Sequence, residues 1–163
     1  MKQFLGLMRL IYVFSIFLLA LIATAQCEPN TSDLLNQGSA LYDQGKYEEA
    51  IKVYDEAIGN DSNYSELRIV KGNSLCCLGR YEEALKAYDK AIRIDPNNAI
   101  AWNGEAWAFN SQGKYDEAIK ACDEVIRLSP KFVLAWINKG WALKALGRIS
   151  EANAAFAKAE EHP

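Results

Sequence analysis

Sliding the chain against itself brings glycines into register every 34 residues, at Gly45, Gly79, Gly113 and Gly147. Alanines follow at the same interval, at Ala50, Ala84, Ala118 and Ala152. A fixed period of this length restricts the fold more than any local propensity, because each copy is one supersecondary unit that buries its apolar face only against a neighbouring copy. Further columns keep the register. A base and an aromatic follow the glycine in the first three copies (Lys46-Tyr47, Arg80-Tyr81, Lys114-Tyr115), and Arg148-Ile149 stands there in the fourth. Leu41, Leu75, Phe109 and Leu143 lie four residues before each glycine, and Tyr54, Tyr88, Cys122 and Phe156 four after each alanine.

The columns decode as two helices per copy. In the first half Trp102, Ala106 and Phe109, and likewise Trp136, Gly140 and Leu143, fall at i, i+4 and i+7, which is one face of a helix. In the second half Tyr81, Ala84, Tyr88 and Ala91 form another stripe. The glycine between the halves sits where a helix must end in a left-handed residue and turn back. Asp95-Pro96 and Ser129-Pro130 stop the second helix of their copies. The first copy has Gly59, Asn60, Asp61 and Ser62 in place of a proline, so its second helix is expected to fray at the last turn.

In period and in its Trp, Leu, Gly, Tyr, Ala and Phe columns the chain resembles the tetratricopeptide repeat family. The resemblance covers about Thr31 to Pro163 and is strongest from Ala101-Trp102 through Gly113, Lys114, Tyr115 and Ala118. It implies an all-α fold, a right-handed α-solenoid of four helix-turn-helix units at 31–64, 65–98, 99–132 and 133–163. Leu34 and Arg68 replace the early Trp of the first two units, Cys122 and Val125 replace an aromatic and an Ala, and Ile149 replaces a Tyr. Arg68 is expected to lay its stem on apolar surface with its head in water. At the far end Asn153, Glu160 and His162 stand in columns that are apolar in earlier units, so no further helix pair is expected to stack there.

Residues 1–25 are set apart from the repeats. Lys2 and Arg9 precede an uncharged run from Leu10, and Ala23-Thr24-Ala25 supplies small residues for a cut after Ala25. This is the layout of a secretory signal peptide, followed by a linker at 26–30. Left uncut, the uncharged stretch from Leu10 to Cys27 borders on the length of a membrane anchor. Gln26 before Cys27 fits a lipid-attachment signal poorly. Export would also make acceptors of Asn30-Thr31-Ser32, Asn60-Asp61-Ser62 and Asn63-Tyr64-Ser65, although Asn and Ser are equally the residues of turns.

Chemistry is sparse. The single His, His162, cannot build a triad or a three-ligand zinc site, and neither a cofactor nor catalysis is expected. Cys76 and Cys77 are adjacent within a helix, Cys122 fills a core column, and no intrachain disulfide is expected. The acids at 48 and 49, 82 and 83, and 116 and 117 recur with the repeat and read as helix-start charges near the positive helix end. A net charge of −3 argues against nucleic acid as a partner. A membrane is expected only through the N-terminal segment, and the chain is expected to be a monomer.

The resemblance further implies a concave groove lined by the first helices, which in this family commonly holds an extended peptide or a partner's helix. Its face would carry Ser32, Leu35, Ser39, Tyr42, Glu66, Ile69, Asn73, Cys76, Ile100, Asn103, Trp107, Asn110, Leu134, Ile137, Trp141 and Lys144. Of these, Tyr42, Asn73, Asn103, Trp107, Asn110, Trp141 and Lys144 are the candidate partner-binding residues. Trp107 and Trp141 each follow by five residues a Trp that the fold already uses, so they are expected on the other side of the helix. Packing between units is the competing explanation for both. One subset of the family grips a C-terminal carboxylate with Lys and Asn on successive first helices. Here those positions hold Leu35, Ser39, Val70, Ile100 and Gly104, or Ile69, Asn73, Gly104, Leu134 and Asn138, and only Asn73 matches. The expected function is that of an exported, non-catalytic module binding a protein or peptide, with a membrane-anchored scaffold as the alternative.

Overall fold

The computed structural model describes residues 30–161. The leader, Cys27 and His162 therefore lie outside the described residues. Helices α1 (Thr31–Asp43), α2 (Tyr47–Asn60), α3 (Ser65–Cys77), α4 (Tyr81–Ile94), α5 (Ala99–Ser111), α6 (Tyr115–Leu128), α7 (Val133–Ala145) and α8 (Ile149–Glu160) follow one another without a strand among the described residues. Each packs on the next, and the odd-numbered helices also touch one another, α1 on α3, α3 on α5 and α5 on α7. This is the stacking of an all-α solenoid, in which stability is a sum over neighbours. Among the described residues no helix is long and apolar enough to cross a membrane.

The turn inside each unit is the same object four times. Gly45, Gly79, Gly113 and Gly147 have φ between 72° and 75°, and no other described residue has positive φ. In the second unit the Gly79 N–H bonds to the Cys76 carbonyl and the Arg80 N–H to the Leu75 carbonyl, both at 2.9 Å, satisfying carbonyls that the helix end leaves open. The base after the glycine then closes back on the next helix, as Arg80 does on Glu83 and Arg148 on Glu151, both at 2.6 Å. A Cβ on Gly79 would touch nothing within 4 Å, so the penalty for replacing it is purely conformational. Gly79→Val is expected to destabilise by about 1–2 kcal/mol or more, read as a lower denaturant midpoint. An unchanged midpoint would remove the left-handed assignment.

The second helix of the first unit is not shortened at its last turn. It runs 14 residues, the same length as α4 and α6. Asp61 supplies the stop that proline was expected to supply, because its carboxylate accepts the Asn63 N–H at 3.0 Å, as Asp95 accepts the Asn97 N–H at 3.2 Å. The early Trp column also has a polar duty. Trp102 and Trp136 are half-buried and donate their indole N–H to the carbonyls of Pro96 and Pro130 at 3.0 and 2.8 Å. Arg68 does not simply send its head to water. Its Nη2 donates to the Ser62 carbonyl at 2.7 Å, one repeat earlier in the same column, so the guanidinium replaces the indole as donor.

In three units the interior sets one large residue, Tyr54, Tyr88 or Phe156, against a small one opposite, and in the third Cys122 takes the large residue's column. Tyr54, Tyr88 and Cys122 are fully buried. A Cβ on Gly38 would lie 2.2 Å from the Tyr54 ring, one on Gly72 2.6 Å from the Tyr88 ring, and one on Gly140 2.5 Å from the Phe156 ring. In the third unit Ala106 stands in that glycine column, and the residue it packs against is the small Cys122. The next unit closes the other side, since Gly104 lies against Tyr88 as closely as Gly72 does. Leu67 joins Leu34, Ala50, Tyr54 and Ala57 in one cluster, and Ala101 joins Tyr88 and Ala91 in another, so this column of the odd-numbered helices faces the preceding unit.

At the two ends the exposed faces differ. Asp33, in the column of Leu67, Ala101 and Ala135, is exposed, and Asn153 and Glu160 are exposed at the other end, as their polarity suggested. The far end is nonetheless not polar throughout. Val133, Ile137, Trp141, Phe156 and Ala159 line an open groove of about 510 Å³ on the last unit. It occupies the side of α7 on which α5 and α3 receive their following odd-numbered helix.

Candidate ligand-binding groove

The odd-numbered helices place the candidate residues along one face, but not all of them are available. Ile69 and Cys76, expected on the groove, are buried in the core. Among the described residues Ile100 and Leu134 are the large apolar side chains most open to solvent, at 57% and 56%. Trp107 is 39% and Trp141 55% exposed. Trp141 is not clear of its own unit as expected, because it meets Phe156 of α8 edge-on with centroids 5.6 Å apart. Lys144 caps the indole, its Nζ 5.1 Å from the ring centroid, an arrangement that orients the ring and adds a positive rim.

The amides serve the stack before they serve a ligand. Asn138 on α7 donates from Nδ2 to Asn103 Oδ1, and its carbonyl accepts from Asn110 Nδ2, both at 3.0 Å, tying α5 to α7 at two heights. Asn73 Oδ1 accepts the Tyr88 hydroxyl at 2.7 Å. Asn103 and Asn73 thus spend their oxygens internally, and Asn110 Oδ1 is buried without a hydrogen-bond partner, out of reach of solvent. A cavity of about 440 Å³ opens between α3 and α5, walled by Glu66, Ile69, Val70, Asn73 and Ile100 among others.

At the near end Tyr42 is half-buried, its hydroxyl 3.5 Å from Cys77 Sγ and its ring edge-on to Tyr47 with centroids 5.2 Å apart. The bond to Cys77, then burial, push the Tyr42 hydroxyl well above the usual phenol range. The thiols of Cys76, Cys77 and Cys122 are free. Burial pushes Cys76 up to about 11 and Cys122 up to about 12, which leaves both thiols protonated and poor nucleophiles at neutral pH. Among the described residues no group of His, Cys, Asp and Glu could hold a metal ion.

Sequence reading missed Asn138 as the link between α5 and α7, and the open groove beside Phe156. Asn138 carried a signal, since it stands in the column of Val70 and Gly104, where a polar side chain needs a partner.

Two family models described as tetratricopeptide repeat match residues 69–131 and 109–162. A third, for anaphase-promoting complex, cyclosome, subunit 3, matches residues 15–91 and so begins within the segment read as a leader. Together with the fold these matches make the chain a tetratricopeptide repeat protein. No curated protein matches it. Among solved structures, a crystal structure of MamA is 26% identical, covering 86% of this chain and 82% of that one with a TM-score of 0.77. The second repeat domain of Spaghetti (RPAP3), bound to the HSP90 peptide SRMEEVD, is 29% identical over 61% of this chain and 92% of that one, TM-score 0.59. A thermophilic repeat protein from Thermus thermophilus, TTC0263, is 17% identical over 81% of this chain and 74% of that one, and shares the fold with a TM-score of 0.74.

Proposed function

We propose that the chain is an exported, non-catalytic interaction module that takes a peptide or a partner's helix on the face formed by α3, α5 and α7. The observation carrying this reading is the row of Ile100, Trp107, Leu134 and Trp141, all exposed on one side of the stack where a soluble surface gains nothing from them. Trp offers a large rigid area with little entropy to lose on binding. The repeat domain of RPAP3, solved with an HSP90 peptide, supports a segment as ligand. The residues here favour a different ligand chemistry from an acidic tail: of the carboxylate-gripping set Asn73 alone is present, and none of the corresponding positions holds a lysine. Apolar anchors on the two indoles, beside the exposed Ile100 and Leu134, are the contacts this face offers.

The test is capture of a partner from envelope extracts by the repeat domain, followed by affinity measurement with purified components. Trp107→Ala or Trp141→Ala should weaken binding by roughly thirtyfold or more, the effect of losing about 2 kcal/mol. Their melting temperatures should stay closer to the parent than those of Trp102→Ala or Trp136→Ala, whose indoles hold the turn carbonyls of Pro96 and Pro130. Equal unfolding in all four, with binding retained by the folded fraction, would make the two residues packing groups. Export and the alternative, a membrane-anchored scaffold, are separated by the mass of the native protein. Loss of residues 1–25 supports the free module, and an intact N-terminus supports the anchor favoured by the uncharged run Leu10 to Cys27.

A further inference from the structure

The junctions between repeats carry a column of ion pairs with one rung changed. Asp55 on α2 pairs with Lys71 on α3, joining the first repeat to the second. Asp123 on α6 pairs with Lys139 on α7 at 2.5 Å, joining the third to the fourth. At the middle junction the same columns hold Asp89 on α4 and Glu105 on α5, an acid where both neighbours have a lysine. Asp89 turns instead to Arg93 on its own helix, 3.0 Å away. The other charged groups facing Glu105 come from α6, where Glu117, Lys120 and Glu124 share with it, Trp102 and Phe109 the lining of a cavity of about 330 Å³. Helix α5 itself contributes no other charge.

We propose that the Asp89–Glu105 rung is a proton-binding switch between the second and third repeats. With Glu105 protonated the junction carries one negative charge, already met by Arg93. Once Glu105 ionises, two negative charges share a junction whose counterparts on either side are attractive pairs, and the junction loosens. Burial first, and the charge of Asp89 second, push the Glu105 carboxyl up to about 7, which places the change at near-neutral pH. In the unfolded chain a Glu releases its proton near pH 4.3, so between that value and about 7 the folded state holds the extra proton. Stability is therefore highest at the acid end of this window, falls as pH rises through it, and is level above it. The cavity between α3 and α5 spans the same two repeats, so on the groove reading given above the same proton sets how firmly that part of the groove is held. The stability test does not depend on that reading.

The experiment is thermal unfolding of the full chain from pH 5 to pH 8 in a His162→Ala background. That change removes the one histidine, and the buried thiols titrate above the window. The folded-to-unfolded ratio of the parent should drop by roughly tenfold to a hundredfold across the range. Glu105→Gln, neutral throughout, should flatten the profile, and Glu105→Lys should flatten it and raise the melting temperature at pH 8 by recreating the flanking Asp–Lys pairs. A merely structural role would shift the whole profile in parallel and leave its slope. If Glu105→Gln keeps the parent slope, the switch is excluded. Should that variant fail to fold, a carboxyl titration of Glu105 in the parent, followed by carbon-13 NMR, decides the matter: a midpoint near 7 supports the proposal and one below 5 overturns it.

Discussion

Gly104→Val is expected to destabilise the chain by about 3 kcal/mol or more, the upper end of overpacking effects. The added Cβ would stand 2.5 Å from Cε1 of Tyr88, closer than any van der Waals contact allows. The ring cannot retreat. It is fully buried, Gly72 flanks its other face, and its hydroxyl is bonded to Asn73 at 2.7 Å. Because Gly104 belongs to the third unit and Tyr88 to the second, the strain falls on the junction between repeats, and denaturation should broaden or split as the halves uncouple. Shrinking the ring should relieve it: Gly104→Ala in a Tyr88→Cys background should cost far less than the two changes summed. A chemical-denaturation series across the cycle gives the coupling, and simple additivity would mean that the ring and the glycine are not in contact.

Cys122→Tyr is the converse and should destabilise by about 2–3 kcal/mol or more, even though tyrosine occupies the same column in the two preceding units. The third unit has adjusted its neighbours to the small side chain. Ala106 packs against Cys122 where Gly38 and Gly72 lie against rings, and Asn138 stands where Gly104 admits the other face of Tyr88. Ala106→Gly should recover part of the loss by reopening its own unit's side. It should not recover all of it, since Asn138 is held by bonds to Asn103 and Asn110. The same denaturation measurement applies, and a Cys122→Tyr protein as stable as its parent would show that the size matching is accidental.

The fold was legible because its determinants are local and repeated. A glycine at 34-residue intervals marks a left-handed turn, and the four φ values of 72° to 75° follow from that single requirement. What stayed hidden depends on pairs that are far apart in sequence. Asn138 binds Asn103 across 35 positions and Asn110 across 28, so the amides that looked free for a peptide are partly committed to the stack. The expectation that α2 would fray looked for one stop signal, proline, and overlooked that the Asp61 carboxylate ends a helix by a different route. The indoles were readable as surface residues from their spacing, but the contact of Trp141 with Phe156 requires knowing that α8 folds back beneath it.

The unequal ends have a consequence for how molecules of this kind meet one another. A stack with a receptive apolar groove at one end and a matching apolar helix at the other would grow into a filament, since a head-to-tail contact that does not close repeats without limit. The groove beside Phe156 supplies one half of such a contact. Helix α1 withholds the other half: seated there, it would drive the Asp33 carboxylate into the position that Leu67, Ala101 and Ala135 fill in complete dryness. Burying that carboxylate therefore counts against a head-to-tail contact between this groove and α1.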